Sequence, residues 1–275
     1  MNKKVIYISD YFLEDGSGGA ELSDGVLIDF ISQSDVDIQK IRCKEFAGQK
    51  ADVYVVSNFA SLSRNKKDFF IKSGAKYIII ERDQKYVRTR NTAEYPNFIA
   101  PQGEVINRDF YAGAKTVFCL TSKQMEIMNE HLSLDNLKSL GCTQFSKNQL
   151  EILSRNIDNI KNGKYAVVRG KRSDKAIAIC NNKKLQFDVL DHQTYEDFIA
   201  TLSQYSGIAF FSHAFESCCR LLIEARVLNL SILTDNRNGC TYEPWFREYK
   251  GRDLLQFLEK KTLQTMQEVL REILC

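Results

Sequence analysis

The chain has 275 residues, 44% of them hydrophobic and 27% charged, with a formal net charge of +3. That composition suits a globular protein of one large domain or two small ones, and the mild charge neither announces nor excludes a nucleic-acid partner. No run of about eighteen apolar residues occurs, so no membrane span is expected, and the opening MNKKVIYISDYF, interrupted by Ser9 and Asp10, does not read as a signal peptide.

Short apolar runs alternate with amphipathic stretches along the chain. In order, the pattern predicts strand 5–8, helix 20–31, strand 52–56, helix 65–72, strand 77–80, strand 116–120, helix 123–132 and helix 147–160. A polar stretch, SRNIDNIKNGK at 154–164, marks a domain boundary. Beyond it come strand 165–168, strand 185–190, helix 195–205, strand 208–211, helix 217–228, strand 231–234 and helices 254–260 and 263–274. Such alternation predicts an α/β fold of two Rossmann-like, doubly wound domains facing a cleft. The expected domains are 1–160 and 161–255, with 256–275 a final helix that returns to the first.

Eight cysteines (Cys43, Cys119, Cys142, Cys180, Cys218, Cys219, Cys240, Cys275) form no CxxC pair, and only His131, His192 and His213 accompany them. This argues against zinc and for a reducing, cytoplasmic setting. Candidate chemistry sits instead at predicted strand ends. After the first strand, Asp15-Gly16-Ser17-Gly18-Gly19-Ala20-Glu21 brings glycines to a helix start, where Gly18 and Gly19 would let backbone N–H groups approach a phosphate; a plain turn is the ordinary alternative. After strand 208–211, FESCCRLLIEAR places Glu216 at a sheet edge and Glu224 two helical turns further on. Amides of Ser217, Cys218 and Cys219, read as the helix N-terminus, would face a diphosphate, and Glu224 would accept hydrogen bonds from a ribose diol. Two solvated helix glutamates are the ordinary alternative. His213, three residues before Glu216, is a candidate for the leaving phosphate or sugar.

Glu216-x7-Glu224-Ala225, followed by Ser231-Ile232-Leu233-Thr234 and Asn238-Gly239, resembles the EX7E segment of retaining glycosyltransferases with the GT-B fold, above all family four. Gly18-Gly19-Ala20-Glu21 resembles that family's glycine-rich loop. At 275 residues this is a compact version, as some viral members are.

The resemblance implies a nucleotide-sugar donor, a UDP-sugar first among them, and no metal cofactor; Asp35-Val36-Asp37 has the letters of a metal-binding pair but introduces a strand. It implies diphosphate contacts from Arg169 and Lys175, with Lys171 and Arg172 as competitors, and makes Glu216 the residue that orients the sugar hydroxyls. Where many relatives carry a histidine near the sugar, this chain has Ile80-Glu81-Arg82-Asp83-Gln84-Lys85-Tyr86. Asp83 is expected to bind an acceptor hydroxyl, and Arg82, Lys85, Arg88 and Arg90 to contact an anionic acceptor, a solvated loop being the ordinary alternative.

The implied activity is a metal-independent, retaining hexosyl or pentosyl transfer to a saccharide or surface glycan. A second reading is glycosylation of hydroxymethylcytosine in viral DNA, within a host cytoplasm. An epimerase acting on nucleotide sugars, and a non-catalytic protein that binds them, are further alternatives. Oligomeric state is open.

Overall fold

The computed structural model describes residues 2–16, 18–170, 173–191 and 193–275. Ser17, Lys171, Arg172 and His192 therefore lie outside the described residues, and with them part of the glycine-rich loop and both competitors of Arg169 and Lys175.

The chain folds as two compact units, residues 1–144 with 262–275, and residues 145–261. In the first unit the order is β1 (Lys3–Ser9), α1 (Gly19–Ser32), β2 (Val36–Arg42), β3 (Val53–Val56), α2 (Arg64–Ser73), β4 (Tyr77–Glu81), α3 (Arg108–Ala112), β5 (Thr116–Cys119), α4 (Ser122–Leu132) and β6 (Leu137–Ser139). These strands form one parallel sheet in the order β2-β1-β3-β4-β5-β6. VYVV, YIIIE and TVFC are buried throughout, which is why the inner strands read as continuous apolar runs: helices cover both faces of a parallel sheet. Phe46 stacks on Phe70 and Tyr77 on Phe110, each pair at 5.2 Å between ring centroids. Rings buried this fully contribute about 1.5–3 kcal/mol each. Gly74 ends α2 in the left-handed region at φ 68°, a conformation that costs a glycine nothing.

The second unit contains α5 (Lys147–Asn156), β7 (Tyr165–Val168), α6 (Ser173–Asn182), β8 (Phe187–Leu190), α7 (Tyr195–Leu202), β9 (Gly207–Ala209), α8 (Arg220–Val227), β10 (Ser231–Leu233) and α9 (Pro244–Glu248). Its parallel sheet runs β10-β9-β7-β8. The helix α10 (Gly251–Leu274) is continuous where the sequence pattern suggested two helices, and its residues from Thr262 onward belong to the first unit. There Gln144 Nε2 donates to Thr265 Oγ1 at 3.3 Å, and Glu272 pairs with Lys138 at 2.6 Å and Lys115 at 3.1 Å.

Several boundaries differ from expectation for identifiable reasons. The units divide at Gln144 rather than near residue 160, because α5 buries Leu150, Ile152 and Leu153 within the second unit and ends at Asn156. Its start is fixed by a capping box: Ser146 Oγ accepts from Gln149 N at 3.1 Å, and Gln149 Oε1 accepts from Ser146 N at 2.9 Å. The helix after β9 starts at Arg220, not at residue 217, since residues 215–219 run extended or in turns. Strand β2 has a mixed polar pattern because it lies at the sheet edge, and β6 is only three residues long.

Candidate active site

In each sheet the chain leaves its first strand toward both neighbours, so a crevice opens at the carboxyl ends of β1 and β3 in one unit and of β7 and β9 in the other. The second crevice gathers most of the expected donor residues. Arg169 follows β7 and pairs with Asp191, which follows β8; both side chains are exposed. Lys175 lies in the first turn of α6, where the positive helix end disfavours a cation. It is held there by Asp235, beyond β10, at 2.8 Å and by the face of Phe211, beyond β9, at 5.0 Å. Two cations thus stand at the strand ends, each with a carboxylate partner that a diphosphate could replace.

Glu216 is not helical. Its N–H donates to Arg237 O at 2.7 Å and its carbonyl accepts from Gly239 N at 2.8 Å, a parallel bridge centred on Asn238. The loop after β10 therefore fixes the backbone of a residue on the loop after β9. Ser212 Oγ donates to Glu216 Oε1 at 2.8 Å, so the half-buried carboxylate is aimed as well as anchored. Asn238-Gly239 are thus brought against Glu216 by the fold. The expected helix N-terminus at Ser217 and Cys218 is corrected: both are buried residues ahead of α8, so their amides carry no terminal helix charge. His213 is exposed on the same loop, and its carbonyl accepts from Arg237 Nη1 at 3.4 Å.

Glu224 is 4% exposed. Tyr195 O–H donates to its Oε1 at 3.1 Å, and Arg220 Nε stands 3.7 Å away. Burial raises the Glu224 pKa above the ordinary carboxyl value, with Arg220 and the Tyr195 hydrogen bond acting in the opposite direction. The Arg220 guanidinium stacks on Phe145 at 4.1 Å and donates to Gln149 Oε1 at 2.9 Å. Tyr195, Arg220, Gln149, Ser212 and Asp235 escaped the sequence reading. Only Arg220 left a signal there, its spacing of four from Glu224 on one helix face.

In the first unit, Gly18 is the exposed, extended N-cap of α1 and accepts from Leu22 N at 3.0 Å; Gly19 is the first helical residue. A Cβ on Gly18 would strike the Glu21 carboxylate, so this helix start is already shadowed by an anion of its own.

The expected basic acceptor loop is largely dismantled. Arg82 is buried against Asp24, which also accepts from Tyr7 O–H at 2.7 Å and Ser57 Oγ at 2.9 Å. Lys85 is buried between Glu81 and Asp83, 3.0 Å from each. Burial works to lower the Lys85 pKa, but the two carboxylates outweigh it and hold the ammonium above its ordinary value. Arg88 is exposed beside Glu104 at 3.4 Å, and Arg90 pairs with Asp83. Every basic residue from 82 to 90 has a carboxylate partner, and Arg82 and Lys85 are out of reach of any phosphate. For Asp83 burial would raise the pKa, yet Lys85 and Arg90 prevail and keep it below the usual carboxylate range.

No protein-family model matches the sequence, and no curated protein matches it. Solved structures do. AviGT4, a glycosyltransferase involved in avilamycin A biosynthesis, matches with a TM-score of 0.58 at 7% identity over 98% of this chain and 97% of that one. Anabaena HepE, solved with UDP and glucose, matches at 0.53 and 10% identity over 98% and 93%. The catalytic domain of Arabidopsis thaliana starch synthase IV, bound to ADP and acarbose, matches at 0.52 and 8% identity over the full length of both chains. The likeness is one of fold: two parallel α/β sheets of six and four strands, as in GT-B glycosyltransferases.

Proposed function

We propose that the protein is a glycosyltransferase that moves a sugar from a nucleotide-sugar donor, with UDP-sugars first in line, to a hydroxyl acceptor with retention of anomeric configuration. The observation that carries this reading is the carboxyl edge of the second-unit sheet, where Arg169 follows β7, Lys175 lies in the first turn of α6 and an anchored Glu216 follows β9. The fold shared with glycosyltransferases solved with UDP and glucose or with ADP and acarbose supports it.

Cleavage of the anomeric bond leaves negative charge on the diphosphate. Arg169 and Lys175 would supply cations where that charge grows, the kind of electrostatic stabilisation that lowers such a transition state. Glu216, aimed by Ser212 and anchored by residues 237–239, would hold the sugar hydroxyls in one orientation. Ser217 and Cys218 would line the donor pocket beside it, and His213 would reach the leaving group. Asp83, a weak base because Lys85 and Arg90 stabilise its charge, would orient an acceptor hydroxyl rather than deprotonate it. The departing phosphate would take the proton, and no step calls for a metal.

A saccharide acceptor fits better than DNA, because the loop expected to grip a phosphate backbone has its cations paired and two of them buried. The test is nucleotide release from a panel of UDP-, ADP- and GDP-sugars, with neutral saccharides or hydroxymethylcytosine DNA as acceptor. Release stimulated by saccharides with retained anomeric configuration is the expected result. Failure to bind any donor would overturn the reading, and a heavier nucleoside would restore the DNA alternative.

A further inference from the structure

The start of α2 carries Arg64, Lys66 and Lys67 and no acid, although the positive end of a helix disfavours cations. Two of the three are committed within the protein. Arg64 pairs with Asp68 at 3.0 Å, and Lys66 donates to the carbonyls of Cys43 and Lys44 at 2.8 and 2.7 Å. Lys67 is half-buried and has neutral partners: it donates to Asn107 Oδ1 at 3.1 Å and stands 5.5 Å from the centre of the Phe59 ring. Among the described residues no carboxylate lies within ion-pair distance of it. Asp10, whose charge acts on Lys67, is bonded instead to the Ser61 N–H at 3.0 Å and to the Ser61 hydroxyl.

Phe59 is fully buried, and the buried Lys85 stands 5.1 Å from the same ring. Asn107, the N-cap of α3 at a left-handed φ of 61°, accepts from Lys67 through its oxygen and donates through its amide to the Lys85 carbonyl at 2.7 Å. The start of α2, the start of α3 and the loop after β4 are thus fastened together around one ammonium. Burial first, and then the charges of Arg64 and Lys85, hold the Lys67 pKa below the ordinary lysine value. A cation kept where burial, a helix end and two like charges all oppose it gains most from an anion supplied from outside. Lys85 is also 3.0 Å from Asp83, so Lys67 stands at the same strand ends as the residue read as orienting an acceptor hydroxyl.

We propose that Lys67 binds an anionic group, a carboxylate or a phosphate, on the acceptor saccharide, which makes acidic sugars the acceptor class. This rests on the glycosyltransferase reading and narrows its acceptor. Asp83 takes a hydroxyl and Lys67 the charge, while the cations of residues 82–90 stay with their own carboxylates.

The test is amine labelling of the full chain with sulfo-N-hydroxysuccinimide acetate, read by peptide mass spectrometry. It is run in glucose, glucuronate, glucose 6-phosphate or inorganic phosphate at equal ionic strength. Saturating glucuronate or glucose 6-phosphate should slow acetylation of Lys67 about tenfold, since an anion keeps the amine protonated and covers it, and glucose should not. Lys72, 78% exposed on the same helix, should react alike throughout. Protection by neither acid, or equal protection by glucose, overturns the inference. So does inorganic phosphate that protects as well as glucose 6-phosphate, because the site would then take free anions rather than an acceptor. In calorimetry with the protecting acid, Lys67→Met, its thermal transition checked against wild type, should weaken binding about tenfold, the worth of one hydrogen bond to a charged group. Lys67→Arg should restore most of it. Unchanged affinity in a folded Lys67→Met protein also overturns the inference. UDP, ADP and GDP are titrated separately: if none binds, the glycosyltransferase reading fails, whereas the labelling result reports on Lys67 alone.

Discussion

Replacing Arg82 by alanine separates a ligand contact from a structural ion pair. The Arg82 side chain is 5% exposed and that of Asp24 1%. Without the guanidinium, Asp24 keeps the neutral donors Tyr7 and Ser57, at 2.7 and 2.9 Å, and among the described residues no cation is left paired with it. Breaking a buried pair from one side costs about 3–5 kcal/mol. With a urea dependence of about 2 kcal/mol per molar, the unfolding midpoint should fall by about 2 M. Arg88→Ala is the control: its side chain is 64% exposed and its ion pair with Glu104 spans 3.4 Å. Removing a pair of that kind costs about 0–1 kcal/mol and should leave the midpoint almost in place. The assay is urea unfolding followed by circular dichroism, alongside nucleotide release by the folded protein. If Arg82→Ala unfolds at the wild-type midpoint yet loses activity, Arg82 is a substrate contact and the structural argument is wrong.

Other outcomes follow from the same geometry. Glu216→Ala should lower turnover by about a hundredfold or more while leaving nucleotide affinity near wild type, and full activity in that variant would remove the central assignment. Because burial raises the Glu224 pKa, its contribution to stability is complete below the unfolded value of about 4.5 and is lost as pH rises through the folded value. The stability of wild type relative to Glu224→Gln should therefore decline as pH is raised from about 4, and a difference that grows in favour of wild type would contradict the burial argument. Gly207 lies opposite Tyr165 in the β7–β9 register, and a Cβ there would stand 2.7 Å from Cδ1 and Cζ of that ring. Gly207→Ala should cost about 1–3 kcal/mol, and Tyr165→Ser should restore most of it in the double variant; equal losses with and without the ring would refute the clash.

Much of the fold could be read from the chain because its inner strands are parallel and covered on both faces. Tyr165–Val168 was placed to the residue, and Tyr77–Glu81 and Thr116–Cys119 to within one, since each is an unbroken apolar run between polar segments. Edge strands follow a weaker rule, which is why most of Val36–Arg42 and all of Leu137–Ser139 went unrecognised. The candidate site was legible in its carboxylates and less so in their settings. The spacing of Glu216 and Glu224 suggested one helix, but Glu216 precedes that helix and its backbone is tied to residues 237–239. No local pattern encodes a partner twenty residues away. The loop at residues 82–90 misled in the opposite way: sequence displays charge, whereas Asp24 and Glu104, which pair with Arg82 and Arg88, come from other segments, and the pairing of Lys85 and Arg90 with the nearby Glu81 and Asp83 is set by the folded loop.

The division of α10 bears on how the protein forms during synthesis. The first unit contains residues 1–144 but is completed only by residues 262–275, where Val269 and Ile273 are fully buried and Glu272 draws in Lys115 and Lys138. Those residues leave the ribosome after the whole of the second unit has been made. The six-stranded sheet must therefore wait, with the ground for its last helix uncovered, until the second unit has been synthesised. The unit begun first thus depends on the residues made last, and until they arrive its uncovered apolar surface is the kind that aggregates.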